Sequence, residues 1–132
     1  MTRERIILPQ ETETAARHVV DAAVKVHTAL GPGLLESVYE KCLGIELQRR
    51  GIHYKTQVSI PIVYEGIPVE PGLRLDLTVE DRVVVELKSV EKLLPVHEAQ
   101  ILTYLKLSRI RLGLLLNFNV ALMKLGIRRI IL

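Results

Sequence analysis

Tryptophan is absent, phenylalanine occurs once and tyrosine four times, so aromatics make up 4% of the 132 residues while hydrophobic residues reach 48%. The core must therefore be aliphatic, and nucleic-acid binding by stacking bases on several exposed rings is disfavoured. The single cysteine, Cys42, excludes a disulfide within the chain and suits a reducing, cytoplasmic location. It falls on the apolar side of a predicted helix, as a small core residue does. No apolar run approaches the roughly 18 residues that span a bilayer. The opening Met1–Leu8 is short, carries Arg3, Glu4 and Arg5, and is stopped by Pro9, unlike a secretory signal. A soluble protein without a membrane partner is expected. Charge of neither sign dominates: 18 Lys plus Arg stand against 15 Asp plus Glu, a net +3 compatible with a phosphate-bearing partner. The basic groups gather at Arg49-Arg50, Lys106-Arg109-Arg111 and Lys124-Arg128-Arg129, each of which also describes a solvated face. Repeats, linkers and low-complexity tracts are lacking, so 1–132 reads as one domain with 1–12 as a flexible N-terminal segment.

Punctuation by glycine and proline divides the chain. A first helix is expected from about Glu13 to Leu30, with Ala16, Val19, Val20, Ala23 and His27 on its buried side and Gly31-Pro32-Gly33 ending it. A second runs from about Leu35 to Arg50, with Gly51 as its stop. Strands read at Tyr54–Tyr64, Leu73–Val79 and Val83–Ser89, with Gly66, Pro68, Pro71 and Gly72 marking the turn between the first two. A third helix covers about Val96–Lys106. The apolar run Ile110–Asn117 suits a strand buried on both faces, and Gly126–Leu132 a final strand. The order ααβββαββ gives an α/β fold, a mixed sheet flanked by helices, with a parallel crossover through the third helix.

Chemistry concentrates on the hairpin. Leu73, Leu75, Leu77 and Val79 alternate with Arg74, Asp76 and Thr78, the period of a strand with one apolar face. Glu86 and Lys88 are two apart on the next strand and leave it on one side. If Glu80-Asp81-Arg82 is a three-residue turn, Asp76 faces Glu86 and Arg74 faces Lys88. Facing carboxylates repel, so they need a counter-charge, which Lys88 and a hard cation such as Mg²⁺ would supply. The same spacing also describes a solvated cross-strand charge cluster. On the third helix, Gln100 and Tyr104 are four apart and share a face, while Ile101, Leu102 and Leu105 form its apolar stripe. None of His18, His27, His53 and His97 has metal-ligand spacing to another histidine or to cysteine; His27 fits a helix C-terminal position, and His97 lies within a turn of Gln100.

Gly33-Leu-Leu-Glu36-Ser-Val-Tyr39 matches the GxxExxY signature. It is followed in order by Asp76-Leu77, Val85-Glu86-Leu87-Lys88, Val96-His97-Glu98-Ala99-Gln100, Tyr104-Leu105, Gly113-Leu114-Leu115 with Asn117-Phe118-Asn119, and Gly126-Ile127-Arg128-Arg129. From about Val19 onward the chain resembles the small bacterial and archaeal GxxExxY proteins of the PD-(D/E)XK nuclease superfamily. The resemblance implies a restriction-endonuclease-like fold and a Mg²⁺-dependent nuclease, with Mn²⁺ as substitute, acting on nucleic acid, DNA foremost. It implies Asp76 and Glu86 as metal ligands, Glu36 as the glutamate completing the metal site, Lys88 as the cationic catalytic residue, and Gln100 and Tyr104 as the Q-x-x-x-Y element that holds the site and the nucleic-acid backbone. Arg74 and Arg109 join them as candidate nucleic-acid contacts. Arg74-Leu75 stand where the superfamily name has a proline. Two function classes follow: a phosphodiester hydrolase working through the metal and the lysine, or a catalytically silent module of the same fold that binds nucleic acid or a protein partner. A homodimer or a partner protein is compatible with either.

Overall fold

Helix α1 (Gln10–Leu30) begins where the N–H groups of Thr12 and Glu13 both bond the Pro9 carbonyl, and Glu11 and Glu13 place carboxylates at the positive end of its dipole. The computed structural model describes residues 7–132. Of the segment 1–12 expected to be flexible, residues 1–6 lie outside the described residues, while Gln10, Glu11 and Thr12 form the first turn of α1, with Thr12 buried. The helix thus starts earlier than apolar periodicity indicated, because its first turn is held by backbone bonds to Pro9. It stops at Gly31, whose φ of 74° suits a residue without a Cβ and whose N–H returns to the His27 carbonyl. Helix α2 (Glu36–Arg49) follows.

Five strands form one sheet in the order β1 (Tyr54–Tyr64), β2 (Ile67–Val79), β3 (Val83–Lys88), β4 (Leu112–Asn117) and β5 (Ile127–Ile131). All neighbours are antiparallel except β3 and β4, which helix α3 (Pro95–Ser108) joins as a parallel crossover. This is the expected ααβββαββ order, a mixed sheet of the restriction-endonuclease-like kind, with a short 3₁₀ turn at Met123–Gly126 before the last strand. β4, flanked by β3 and β5, is buried throughout, as its unbroken apolar run requires. On one face, α1 and α2 set Val19, Ala23, Leu43 and Leu47 against Leu77, Val85, Leu87 and Leu114. On the other, Ile101 and Leu105 of α3 cover Leu75, Val84 and Leu115. Each of the leucine, isoleucine and valine side chains contributes about 1.5–3 kcal/mol on burial. Leu102 stays partly exposed rather than joining that stripe, and Cys42 is half-buried at the edge of the larger cluster.

Two expectations about the hairpins change. The turn between β1 and β2 is only Glu65-Gly66, both at positive φ, and the segment holding Pro68 and Pro71 is strand. Proline is tolerated there because Ile67–Leu73 pairs with β1 alone, leaving no second ladder for a missing N–H to break. The alternating set Leu73, Leu75, Leu77 and Val79 also does not share one face. Leu73 and Leu75 pack on the α3 side, Leu77 and Val79 on the α1/α2 side, so the pleat changes phase at Asp76.

At the end of the sheet where β3 and β4 finish, Tyr39 is the buried hub. Its hydroxyl donates to the Gly31 carbonyl (2.6 Å) and accepts the Leu34 N–H (3.1 Å), and its ring stacks on Phe118 at 4.4 Å. His27, in the last turn of α1, is buried and its Nε2 bonds the Val120 carbonyl (2.8 Å).

Removing the hydroxyl in Tyr39→Phe strips partners from two backbone groups, and a loss of about 1–3 kcal/mol is expected in chemical denaturation. Gly126→Ala should cost more, at least about 3 kcal/mol, because the new Cβ would land on the Asn117 carbonyl oxygen, which is backbone and cannot swing aside. An unchanged denaturation midpoint for Gly126→Ala would contradict this packing.

Candidate active site

The ladder between β2 and β3 pairs Leu77 with Val85, Thr78 with Val84 and Val79 with Val83, around a three-residue turn closed by the Arg82 N–H on the Val79 carbonyl. That is the register expected from sequence, and continuing it sets Asp76 against Glu86. At this pair, side chains replace the ladder. The Asp76 N–H donates to Glu86 Oε1 (3.1 Å) and the Leu87 N–H donates to Asp76 Oδ2 (2.9 Å). On the other flank, Thr56 pairs with Leu77 and Val58 with Leu75, while Gln57 between them drops out of the ladder at a φ of 51°. The backbone of Asp76 is therefore released from both neighbours, which is what permits the change of pleat and brings its carboxylate to Glu86. Glu40 Oε1 on α2 accepts the Gln57 side-chain amide at 2.8 Å and braces the released segment from behind.

Glu86 lies on the same side of β3 as Val84, which packs under α3, and Lys88 follows two residues later on that side. Burial, with only 6% of Glu86 exposed, is the largest influence on its carboxyl. Together with the neighbouring Asp76 carboxylate it pushes the pKa up to about 9, and the Asp76 amide and the Lys88 charge offset only part of this. Tyr104 of α3 sits against the same pair. Its hydroxyl is pushed above the usual tyrosine value first by burial, then by the charges of Glu86 and Asp76. Gln100, one helical turn earlier on that face, is exposed.

The remaining expected residues are not gathered in. Glu36 opens α2, is exposed, and accepts the Ser89 N–H through Oε1 (3.3 Å). Among the described residues no three His, Cys, Asp or Glu side chains lie close enough together to hold one ion. The trio of Glu36, Asp76 and Glu86 is thus not assembled, because the backbone after Lys88 engages Glu36 instead. Arg74 does not face Lys88 either: β2 has left β3 by that point and Arg74 pairs with Ser59 of β1, on the opposite parity from Leu73 and Leu75, which face α3. Arg109 is the C-terminal cap of α3 at a φ of 61° and borders Asp81 and Arg82, at the far end of β3 from Lys88. His97 is occupied in starting α3, where its Nδ1 accepts the Leu94 N–H (2.9 Å).

Two organising residues received no role from the sequence, although Asn117 falls in the matched Asn117-Phe118-Asn119 segment. Gln57 carries no signal, since its role follows from a backbone kink. Asn117 carries a faint one, a lone amide closing an apolar strand. The donor set of the central pair fits a hard divalent cation: a buried Glu86 and a half-buried Asp76, each carboxylate accepting a backbone N–H from the other's strand.

A family model described as the PD-(D/E)XK nuclease superfamily matches residues 13–130. No curated protein and no solved structure matches the chain. With the match spanning nearly the whole length and the fold carrying the paired acids and the lysine on its central hairpin, the chain belongs to the PD-(D/E)XK nuclease superfamily.

Proposed function

We propose that the chain is a metal-dependent nuclease of the GxxExxY type that hydrolyses phosphodiester bonds of nucleic acid, DNA foremost, with Mg²⁺ or substituting Mn²⁺ held by Asp76 and Glu86. The observation that carries this reading is the reciprocal grip of the two carboxylates on each other's strand, beside Lys88. Burying Glu86 beside Asp76 disfavours the charged form of Glu86. A site that holds a carboxyl near pKa 9 is poised to exchange its proton for a cation. When bound, such a cation supplies positive charge to the transferring phosphoryl group and acidifies water.

The protein's own groups account for the rest. Lys88, sharing a side of β3 with Glu86, donates to the attacking water or to a non-bridging phosphate oxygen and offsets the charge that develops there. Tyr104, pushed above the usual tyrosine value first by burial and then by the neighbouring acids, keeps its proton at neutral pH and so can donate to a phosphate oxygen. Exposed Gln100 extends the same helix face toward the incoming backbone. Glu36 acts from outside the carboxylate pair, through the Ser89 amide.

Cleavage of labelled single- and double-stranded DNA and RNA in Mg²⁺ or Mn²⁺ tests the proposal. Asp76→Ala and Lys88→Ala should each lose roughly 100-fold or more in rate, whereas Arg109→Ala, at the far end of β3, should cut normally. Wild-type rates in Asp76→Ala or Lys88→Ala would reject the site. Binding of nucleic acid at low salt without cleavage or metal uptake would identify a silent module instead.

A second test uses proton linkage. The unfolded chain releases the Glu86 proton near pH 4.5 while the folded chain keeps it to about pH 9, so in metal-free buffer this group's contribution is full below pH 4.5 and is lost as pH rises through 9. Thermal melts at pH 5, 7 and 9 should show that decline in the wild type and a flatter profile in Glu86→Gln. Added Mn²⁺ should raise the wild-type melting temperature most at the alkaline end, where no proton competes.

A further inference from the structure

We infer that Asn117 is a positioning residue for Lys88, an inference that rests on the nuclease reading of that lysine. Strand β3 ends at Lys88, and nothing in its own sequence holds the next residues, Ser89 and Val90, which leave the sheet toward α3. A terminal strand residue frays unless its backbone groups find partners beyond it. Lys88 pairs with Asn117 in the parallel ladder, and the Phe118 N–H then donates to the Lys88 carbonyl (3.0 Å).

From there the ladder is continued by a side chain. Asn117 Oδ1 accepts the Val90 N–H (3.1 Å) while Asn117 Nδ2 donates to the Val90 carbonyl (3.0 Å), so one carboxamide grips both backbone groups of a single residue. Oδ1 also accepts the Asn119 N–H (3.2 Å), so the same atom ties the two loops together. Only asparagine meets this demand at this length: aspartate offers the acceptor without the donor, leucine offers neither, and glutamine carries one carbon too many. With 2% exposure, Asn117 has no room for water to take over its bonds.

A second set of contacts closes on the intervening residue. Ser89 donates its N–H to Glu36 and its hydroxyl to the Leu34 carbonyl (2.9 Å), and Tyr39 locks Leu34 to Gly31. Phe118, next to Asn117, stacks on Tyr39. The backbone at and after Lys88 is therefore clamped between the start of α2 and the end of β4, while Asp76 and Glu86 are tied to each other's strand by their own carboxylates.

The division predicts a specific pattern. In Asn117→Ala the Val90 amide should exchange with solvent about tenfold faster or more, with the amides of Val84, Val85 and Leu87 unchanged, and the Lys88 ¹³Cε signal should broaden or shift. Turnover per folded molecule should fall about tenfold or more while KM stays level. Asn117→Asp, which keeps the acceptor, should lie between Asn117→Ala and wild type. Leu112→Ala, buried at the opposite end of β4, serves as the purely destabilising control and should leave turnover per folded molecule unchanged. Unchanged Val90 exchange in Asn117→Ala overturns the inference, as does a turnover loss no greater than that of the Leu112→Ala control. If the wild type cuts no nucleic acid, the nuclease reading fails on its own, and the exchange and Lys88 signals still decide whether Asn117 holds the lysine in place.

Discussion

Two carboxylates that trade backbone amides across a strand pair are the constraint on which this molecule turns. A regular ladder at Asp76 and Glu86 would use the Asp76 and Leu87 amides for the sheet and leave both acids to find water. Giving those amides to the acids opens the sheet at one pair. The opening shows on every side: β1 drops Gln57 from its ladder, β2 changes pleat, and Glu40 comes from α2 to support the gap. Local irregularity of this kind marks sites where backbone order is given up for side-chain placement.

The surroundings keep that irregularity affordable. Below it, an aliphatic core built on both faces of β3 and β4 supplies the cohesion of the fold, and above it α3 brings Tyr104 to the pair. Burial does double work here. It packs the core, and it raises the cost of ionising Glu86, whose proton is what a divalent cation would displace under the proposed function. The backbone at and after the lysine is held by other contacts: the Phe118 N–H bonds the Lys88 carbonyl, Glu36 of α2 takes the Ser89 N–H, and Asn117 of β4 grips Val90. Acid pair and lysine backbone are thus held by different sets of hydrogen bonds.

The signature residues acquire distinct duties. Tyr39 works as a structural clamp, its hydroxyl closing the loop Gly31–Leu34 and its ring meeting Phe118. Glu36 holds the amide after Lys88 and is not gathered with the other acids. Much of the basic charge is likewise spent on structure: Arg129 pairs with Glu13, Arg50 with Asp21 at 4.0 Å, and Arg111 bonds the Leu132 carbonyl.

Periodicity and punctuation were enough to read the element order, the buried character of β4 and the register of the central hairpin, because these follow from neighbours along the chain: alternation, turn length and an unbroken aliphatic run. They also paired Asp76 with Glu86, since an antiparallel register is set by the turn that closes it. What sequence could not contain was decided by where strands part company. Pro68 and Pro71 sit in a strand because β3 is absent beside them, and Arg74 is carried away from Lys88 for the same reason. Arg109 is close to Lys106 in sequence yet remote from Lys88, because α3 carries it back along the sheet. Only the assembled fold could assign Asn117 its two bonds to Val90, 27 residues away in the chain, since a hydrogen bond between distant segments depends on the packing that brings them within reach.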